Sequence, residues 1–333
     1  MGKHERVKMQ VAIIGGTRHV GHAIVGQLVE LGHKVSVYNR GKTNALLPTG
    51  VRRVVIDRRE PGQLGQSLRE HRPEAVIDMI GYALHEVQEV YSALPNLQHY
   101  VFCSTTAVYG HIGTSTPNES EAVSPDSPYT YGKVDCEQWL MDKCRASGFP
   151  ATILRLAHPY GPRDQMLYTT GRESLFLDRM SRGRTIIIPG NGKTRIHPVF
   201  VQDAARSFSH VLGRSECMGQ IYNLSGDQIL TFDEYFSSIA RVLGVALVAH
   251  KLPAELFKDK ATLWANWRRK FDFGFNWVNY ESAFDTSALQ NTGFRCQTDH
   301  DTGVALTMQW LNENSLIELS SDDDEEDRIL KDV

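Results

Sequence analysis

Tyr129 and Lys133 stand four residues apart in SPYTYGK, a spacing that puts both side chains on one face of a helix. A phenol titrates near 10, too high for a base at neutral pH. An adjacent ammonium stabilises the phenolate and lowers that value, which makes Tyr129 usable for proton transfer. Upstream, STTAVYG (104 to 110) follows an apolar run that reads as a strand. Hydroxyls at that strand's end can point toward a bound nicotinamide and a substrate hydroxyl.

A second cluster lies near the start. In GGTRHVG (15 to 21), Gly15 lets the chain turn tightly out of a strand and Gly21 permits close packing of the following helix. Backbone N–H groups of the intervening residues, Thr17, Arg18, His19 and Val20, then face a pyrophosphate at the helix start. Arg18 occupies the place where such a turn usually keeps its middle glycine. The next strand ends in Tyr38-Asn39-Arg40-Gly41-Lys42. A carboxylate at this position would hydrogen-bond the ribose 2′-OH of NAD, whereas a cation accommodates the 2′-phosphate of NADP. Asn39 and Arg40 replace the acid, and Arg18 supplies a second cation, so NADP(H) is favoured and NAD(H) remains possible. The competing reading makes Arg18 and Arg40 solvated surface arginines. Asp57 and Arg58, at the end of a third strand, are placed to contact the adenine, and Ile80 and Gly81, after a fourth, complete the cofactor set.

These residues need a scaffold, and the pattern supplies one. From residue 8 to about 156, short β-branched runs (VAII, KVSVY, RRVVI, EAVIDMI, HYVFCS, ATILRL) alternate with helical stretches. That alternation predicts an α/β fold with a Rossmann-type, doubly wound parallel sheet. In the first helix Val20, Ile24, Leu28 and Leu31 form one apolar face, and a long helix starts near Tyr129. Beyond about residue 160 the rhythm loosens, with helices expected near 202 to 212, 231 to 243 and 299 to 313. The expected organisation is a cofactor domain over 1–165, a smaller C-terminal α/β substrate lobe over 166–315, interleaved with it, and an acidic disordered tail over 316–333. Ligands of open α/β sheets bind at the carboxyl edge of the strands, so the cleft between the lobes is the expected site.

Composition narrows the class. The 333 residues are 41% hydrophobic and 23% charged, enough for a sizeable core. No apolar run approaches the roughly 18 residues needed to span a bilayer, and the N-terminus has no apolar signal region, so a cytoplasmic address is expected. The five cysteines form no C-x-x-C pair, which fits packing thiols better than a disulfide framework or a metal site. DDDEED (322 to 327) contributes six negative charges against a formal net charge of −3, so the body of the chain is nearly neutral, without the basic stripe of a nucleic-acid binder.

Several ordered motifs together resemble the extended short-chain dehydrogenase/reductase family of NAD(P)-dependent sugar-nucleotide epimerases, dehydratases and reductases. They are GGTRHVG, CSTTAVYG, Tyr129-x-x-x-Lys133 with Glu137, LRLAHPYGPR (154 to 163), RIHPVFVQDAA (195 to 205) and FDTSAL (284 to 289). The resemblance covers roughly residues 8 to 313. It implies that Thr105 is the catalytic hydroxyl, Tyr129 the acid/base, and Lys133 the residue that holds the ribose and depresses the Tyr129 pKa. It also implies that Ala157 and Pro159 border the nicotinamide, that His158 replaces a substrate-contacting Asn, and that the molecule is a homodimer.

Departures from the family narrow the reaction. Its 4,6-dehydratases and decarboxylases have an acid one or two positions after the catalytic Thr, where this chain has Thr106 and Ala107, so the usual elimination is disfavoured and an epimerase or reductase fits better. A redox-neutral dehydratase stays open, with Cys103, Thr106 or His111 as proton donors. The diphosphate-gripping Arg-x-Gly-Asp segment is absent before FDTSAL, which leaves a nucleoside-diphosphate sugar in question. Arg195, and Arg268 in WANWRRKFDFGFNW, are the candidates for gripping the small-molecule sugar substrate. The other class of reading is RNA binding without catalysis, since the GGTR turn also resembles that of chloroplast stem-loop RNA-binding relatives. The near-neutral body and the Tyr/Lys pair argue against nucleic acid.

Overall fold

The computed structural model describes residues 8–168, 171–253 and 280–332. Six strands carry the apolar runs read from the sequence: β1 (Gln10–Ile14), β2 (Lys34–Asn39), β3 (Arg52–Val55), β4 (Ala75–Asp78), β5 (His99–Thr105) and β6 (Ala151–Leu156). With the strand Gln220–Leu224 they form one seven-stranded sheet whose order is Gln220–Leu224, β6, β5, β4, β1, β2, β3. All six pairings are parallel, β1 to β2 running in register from Gln10 opposite Lys34 to Ile14 opposite Tyr38. The order reverses at β1, so a crevice opens there at the strands' carboxyl ends.

Both faces of the sheet are covered, and the strands record this in alternate residues. Val11 and Ile13 pack on one side with Ile24 and Leu28 of α1 (His19–Glu30) and with Ala204 and Phe208 of α6 (Val201–Val211). Ala12 and Ile14 pack on the other with residues of α2 (Gln63–His71), α3 (Leu84–Ala93) and α4 (Pro128–Ser147). Removing Leu28 to Ala at this depth costs about 2–5 kcal/mol.

The lobe over the sheet's carboxyl edge holds α5 (Leu175–Ser181), α7 (Phe232–Leu243) and the helix His300–Glu313. Its hairpin, Met166–Tyr168 against Gly171–Glu173, is antiparallel. The chain returns to the main sheet between these elements through Gln220–Leu224. No helix among the described residues is long and apolar enough to cross a membrane.

The tail departs from expectation. Residues 325–332 are helical rather than disordered. The cause is charge pairing: the fully buried Arg179 of α5 binds Asp324 and, at 3.0 Å, Asp327, and Arg184 also binds Asp327. The Glu326 carboxylate accepts from the Tyr168 hydroxyl and from the Ile187 N–H at 2.6 Å. A run of like charges meets its counter-charges in the lobe and is ordered by them.

Candidate active site

A cleft of about 1100 Å³ runs along the carboxyl ends of β1, β2, β4, β5 and β6. At one end lies the glycine turn. Gly15 has φ 95°, and a Cβ there would lie 2.8 Å from Ile80; a Cβ on Gly21 would lie 2.6 Å from the Gly15 carbonyl oxygen. The two glycines therefore set the turn's closeness. No side chain caps the start of α1 and its first turn holds no acid, so the N–H groups of Arg18 to Val20 are left for an anion.

The end of the cleft past β2 and β3 is cationic. Arg18, Arg40, Lys42 and Arg59 all line it and are exposed. Arg18 Nε donates to Thr43 Oγ1 at 3.4 Å. The Asn39 side chain accepts from the Gly41 N–H at 2.7 Å, while its buried amide nitrogen has no hydrogen-bond partner among the described residues. The residues present therefore fit a dinucleotide: an uncapped helix start, a glycine cradle, an orphan amide donor and the cations Arg18, Arg40 and Lys42.

Sequence reasoning named Arg18 and Arg40 and missed Lys42 and Arg59, which follow from the same rule applied to the residues just past β2 and β3. Asp57 lines this end but is held by Arg59, with Nη2 at 2.6 Å, and that bond lowers its pKa to about 2. Arg58 lies in the floor, its guanidinium bound to both oxygens of Asp78 at 2.8 and 3.1 Å and to Glu86 at 3.1 Å. Its charge is spent inside the protein rather than offered to adenine. Gly81 is set back from the cleft, where a Cβ would lie 2.8 Å from Phe102.

The other end brings together Thr105, Tyr129 and Lys133. Ser127 caps α4 and Pro128 starts it, so that Tyr129, Lys133 and Glu137 fall on one face. Thr105 ends β5, its Oγ1 accepting from the Ala107 N–H at 3.2 Å, and it lies in the same cleft as Tyr129. Beneath them, Glu137 accepts from Ser104 and binds Arg155 at 2.7 Å, Arg155 donates to the Tyr109 hydroxyl at 2.8 Å, and that hydroxyl donates to Asn223 at 2.9 Å. This buried network fixes β5 and β6 relative to α4.

Lys133 behaves differently from the expectation. Its Nζ donates to the Cys103 carbonyl at 2.6 Å and is enclosed by the rings of Phe102, Tyr82 and Tyr129 at 4.7, 4.9 and 5.9 Å. Burial pushes its pKa down. The Tyr129 phenol is raised above its usual 10, because desolvation in the cleft outweighs the lowering influence of Thr105. The anticipated lowering of Tyr129 by Lys133 is thus not present in the free protein, since the ammonium faces a carbonyl. Cys103 is also raised, to about 11, by burial, which makes it a poor proton donor.

Ala157, His158 and Pro159 form the wall opposite Thr105. Backbone bonds fix them: Ala157 N to Leu224 O at 2.9 Å and Val199 N to His158 O at 3.0 Å. His158 is held neutral, its pKa lowered to about 3 first by burial and then by the charge of Arg172. Thr106 is buried at the cleft, and His111 stacks on Tyr280 with centroids 3.4 Å apart. Arg195 does not reach the cleft; it binds Glu281, which does, and the Thr114 carbonyl at 2.7 Å. Arg268 lies outside the described residues. Tyr82 and Arg172 line the cleft and carried no spacing signal in the sequence.

This Rossmann-type sheet, with a dinucleotide-sized cleft at its switch point, defines the class. Residues 84–225 match the NAD dependent epimerase/dehydratase family model. The chloroplast stem-loop binding protein of 41 kDa b of Arabidopsis thaliana is 30% identical over 248 residues, 71% of this chain but only 63% of that protein. The 2′-dehydrokanamycin reductase of Streptomyces kanamyceticus is 24% identical over 82% of this chain and 79% of the reductase. The UDP-glucose 4-epimerase of Thermus thermophilus, solved in complex with NAD, superposes with a TM-score of 0.72 at 21% identity, covering 91% of this chain and 98% of that one. That likeness shows the shared fold.

Proposed function

We propose that this protein is an NAD(P)-dependent enzyme of the epimerase or reductase type, acting on a hydroxyl or ketone of a sugar nucleotide or nucleoside-like sugar, with NADP(H) as the favoured cofactor. One observation carries the reading: Thr105, Tyr129 and Lys133 converge on the same cleft as the uncapped glycine turn. Bound NAD(P) supplies the hydride acceptor or donor. Thr105, in the same cleft as Tyr129, orients the substrate oxygen, and the Tyr129 phenol gives or takes that oxygen's proton. Lys133 stores a desolvated positive charge below the phenol. The Ala157–Pro159 wall and Tyr82 narrow the reacting end. Support for NADP(H) comes from Arg18, Arg40 and Lys42 at the adenosine end, since guanidinium matches phosphate in a forked, charged geometry. A net reductase agrees with that preference and with the streptomycete relative.

The second reading, RNA binding, has the higher identity of the plant relative behind it. One set of measurements separates the two. Mass spectrometry of the purified protein identifies any co-purified dinucleotide, and titration of candidate sugars with NADPH follows absorbance. Stoichiometric NADPH consumption supports a reductase, and isomerised product without net NADPH change supports an epimerase. Retarded RNA at physiological salt, with no dinucleotide bound, refutes the enzymatic reading.

A further inference from the structure

Asp164 ties together two parts of the molecule that the chain builds separately. Its Oδ2 accepts from Arg172 Nη1 at 2.7 Å and lies 3.3 Å from Nδ1 of His19. His19 is the first residue of α1, inside the glycine turn; Arg172 stands in the hairpin strand Gly171–Glu173 of the lobe. Arg172 Nη2 also donates to the Pro159 carbonyl at 2.8 Å, and its charge depresses the pKa of both His19 and His158. The guanidinium therefore sits between the start of α1 and the Ala157–Pro159 wall. A dinucleotide with its diphosphate at α1 and its nicotinamide at that wall threads this stretch. His19 is held neutral, at about 4, by burial, so Arg172 is the cation that balances Asp164 here.

We propose that Arg172 is a clamp for the diphosphate of the bound dinucleotide, held in reserve by Asp164; the inference rests on the reading of the cleft as an NAD(P) site. In the free protein the carboxylate occupies the guanidinium. Phosphate oxygens arriving at the start of α1 offer the same forked acceptor with more charge, and Asp164, 27% exposed, exchanges its partner for water. Asp164 opposes binding because its charge repels the incoming phosphates, and Arg172 favours it.

The two residues therefore have opposite signs, which a merely structural salt bridge does not give. Isothermal titration of the full chain with NADP+ at pH 7.5 reads them. D164N is expected to tighten binding about three- to tenfold and R172A to weaken it about ten- to thirtyfold, with R172K between wild type and R172A because it keeps the charge without the fork. The double variant follows R172A. Adenosine 2′-monophosphate, which lacks the diphosphate, binds all variants within about twofold. Weaker NADP+ binding by D164N overturns the clamp and leaves Asp164 a strut, as does an equal loss for both probes. No change in D164N and R172A also overturns it while preserving the dinucleotide reading. Failure of the wild type to bind NADP+ or NAD+ overturns both.

Discussion

Glu326 offers the sharpest quantitative test of how the tail is held. Its carboxyl is buried against Tyr168, the Ile187 N–H and Arg179, with Glu173 adding repulsion, and burial is the largest cause that raises its pKa from 4.5 to about 7. A carboxyl with a raised folded pKa binds its proton more tightly folded than unfolded. Its stabilising contribution is therefore complete below about pH 4.5 and is lost as pH rises through about 7. At about 1.4 kcal/mol per pKa unit the loss amounts to about 3 kcal/mol. E326Q keeps a neutral amide in the same place and removes the titration. Variant and wild type should unfold at similar temperatures at pH 5. At pH 8 the variant should be more stable by about 3 kcal/mol, which is about 4 °C for an unfolding entropy of about 2 cal/mol/K per residue. Thermal unfolding of both proteins at half-unit steps from pH 5 to 8 checks this. A difference between them that does not change with pH refutes the reasoning, because Glu326 would then not be the titrating group.

Other outcomes follow from the cleft. G21A should lower dinucleotide affinity at least tenfold in fluorescence titration, since its Cβ would lie 2.6 Å from a backbone oxygen of the cradle. Y129F should lose about 10²–10⁴ in turnover while binding dinucleotide within about threefold, as expected for a group that moves a proton rather than holds the cofactor. R40A should weaken NADP+ about tenfold or more and NAD+ much less in parallel titrations, because its partner would be the 2′-phosphate. A uniform loss for both cofactors would place Arg40 elsewhere.

Much of the fold was legible in the sequence because six strands are β-branched runs bounded by turn residues, all but the edge strand β3 largely buried. The seventh, QIYNL, has polar residues at Gln220 and Asn223 and gave no such run; Asn223 is buried only because Tyr109, Pro117 and Asp285 satisfy its side chain. The reacting residues were visible through spacing on α4 and position after β5. Their protonation was not, since it depends on a carbonyl, that of Cys103, which no spacing rule reveals. Arg172 was invisible for a related reason. One arginine in a Thr- and Gly-rich stretch acquires meaning only when the hairpin swings it beside residues 13 and 153 positions earlier in the chain, at Pro159 and His19. The acidic run was read as solvated because its counter-charges lie far upstream.

That separation bears on how the protein is made. Arg179 waits 145 residues for Asp324, which at synthesis rates of about 5–20 residues per second means roughly 7–30 s on the ribosome with its guanidinium unmatched. A nascent lobe of this kind stays loosely packed until the distant carboxylates emerge. A tag or fusion placed at the C-terminal side would then act first on yield and biogenesis, before any effect on the chemistry of the cleft.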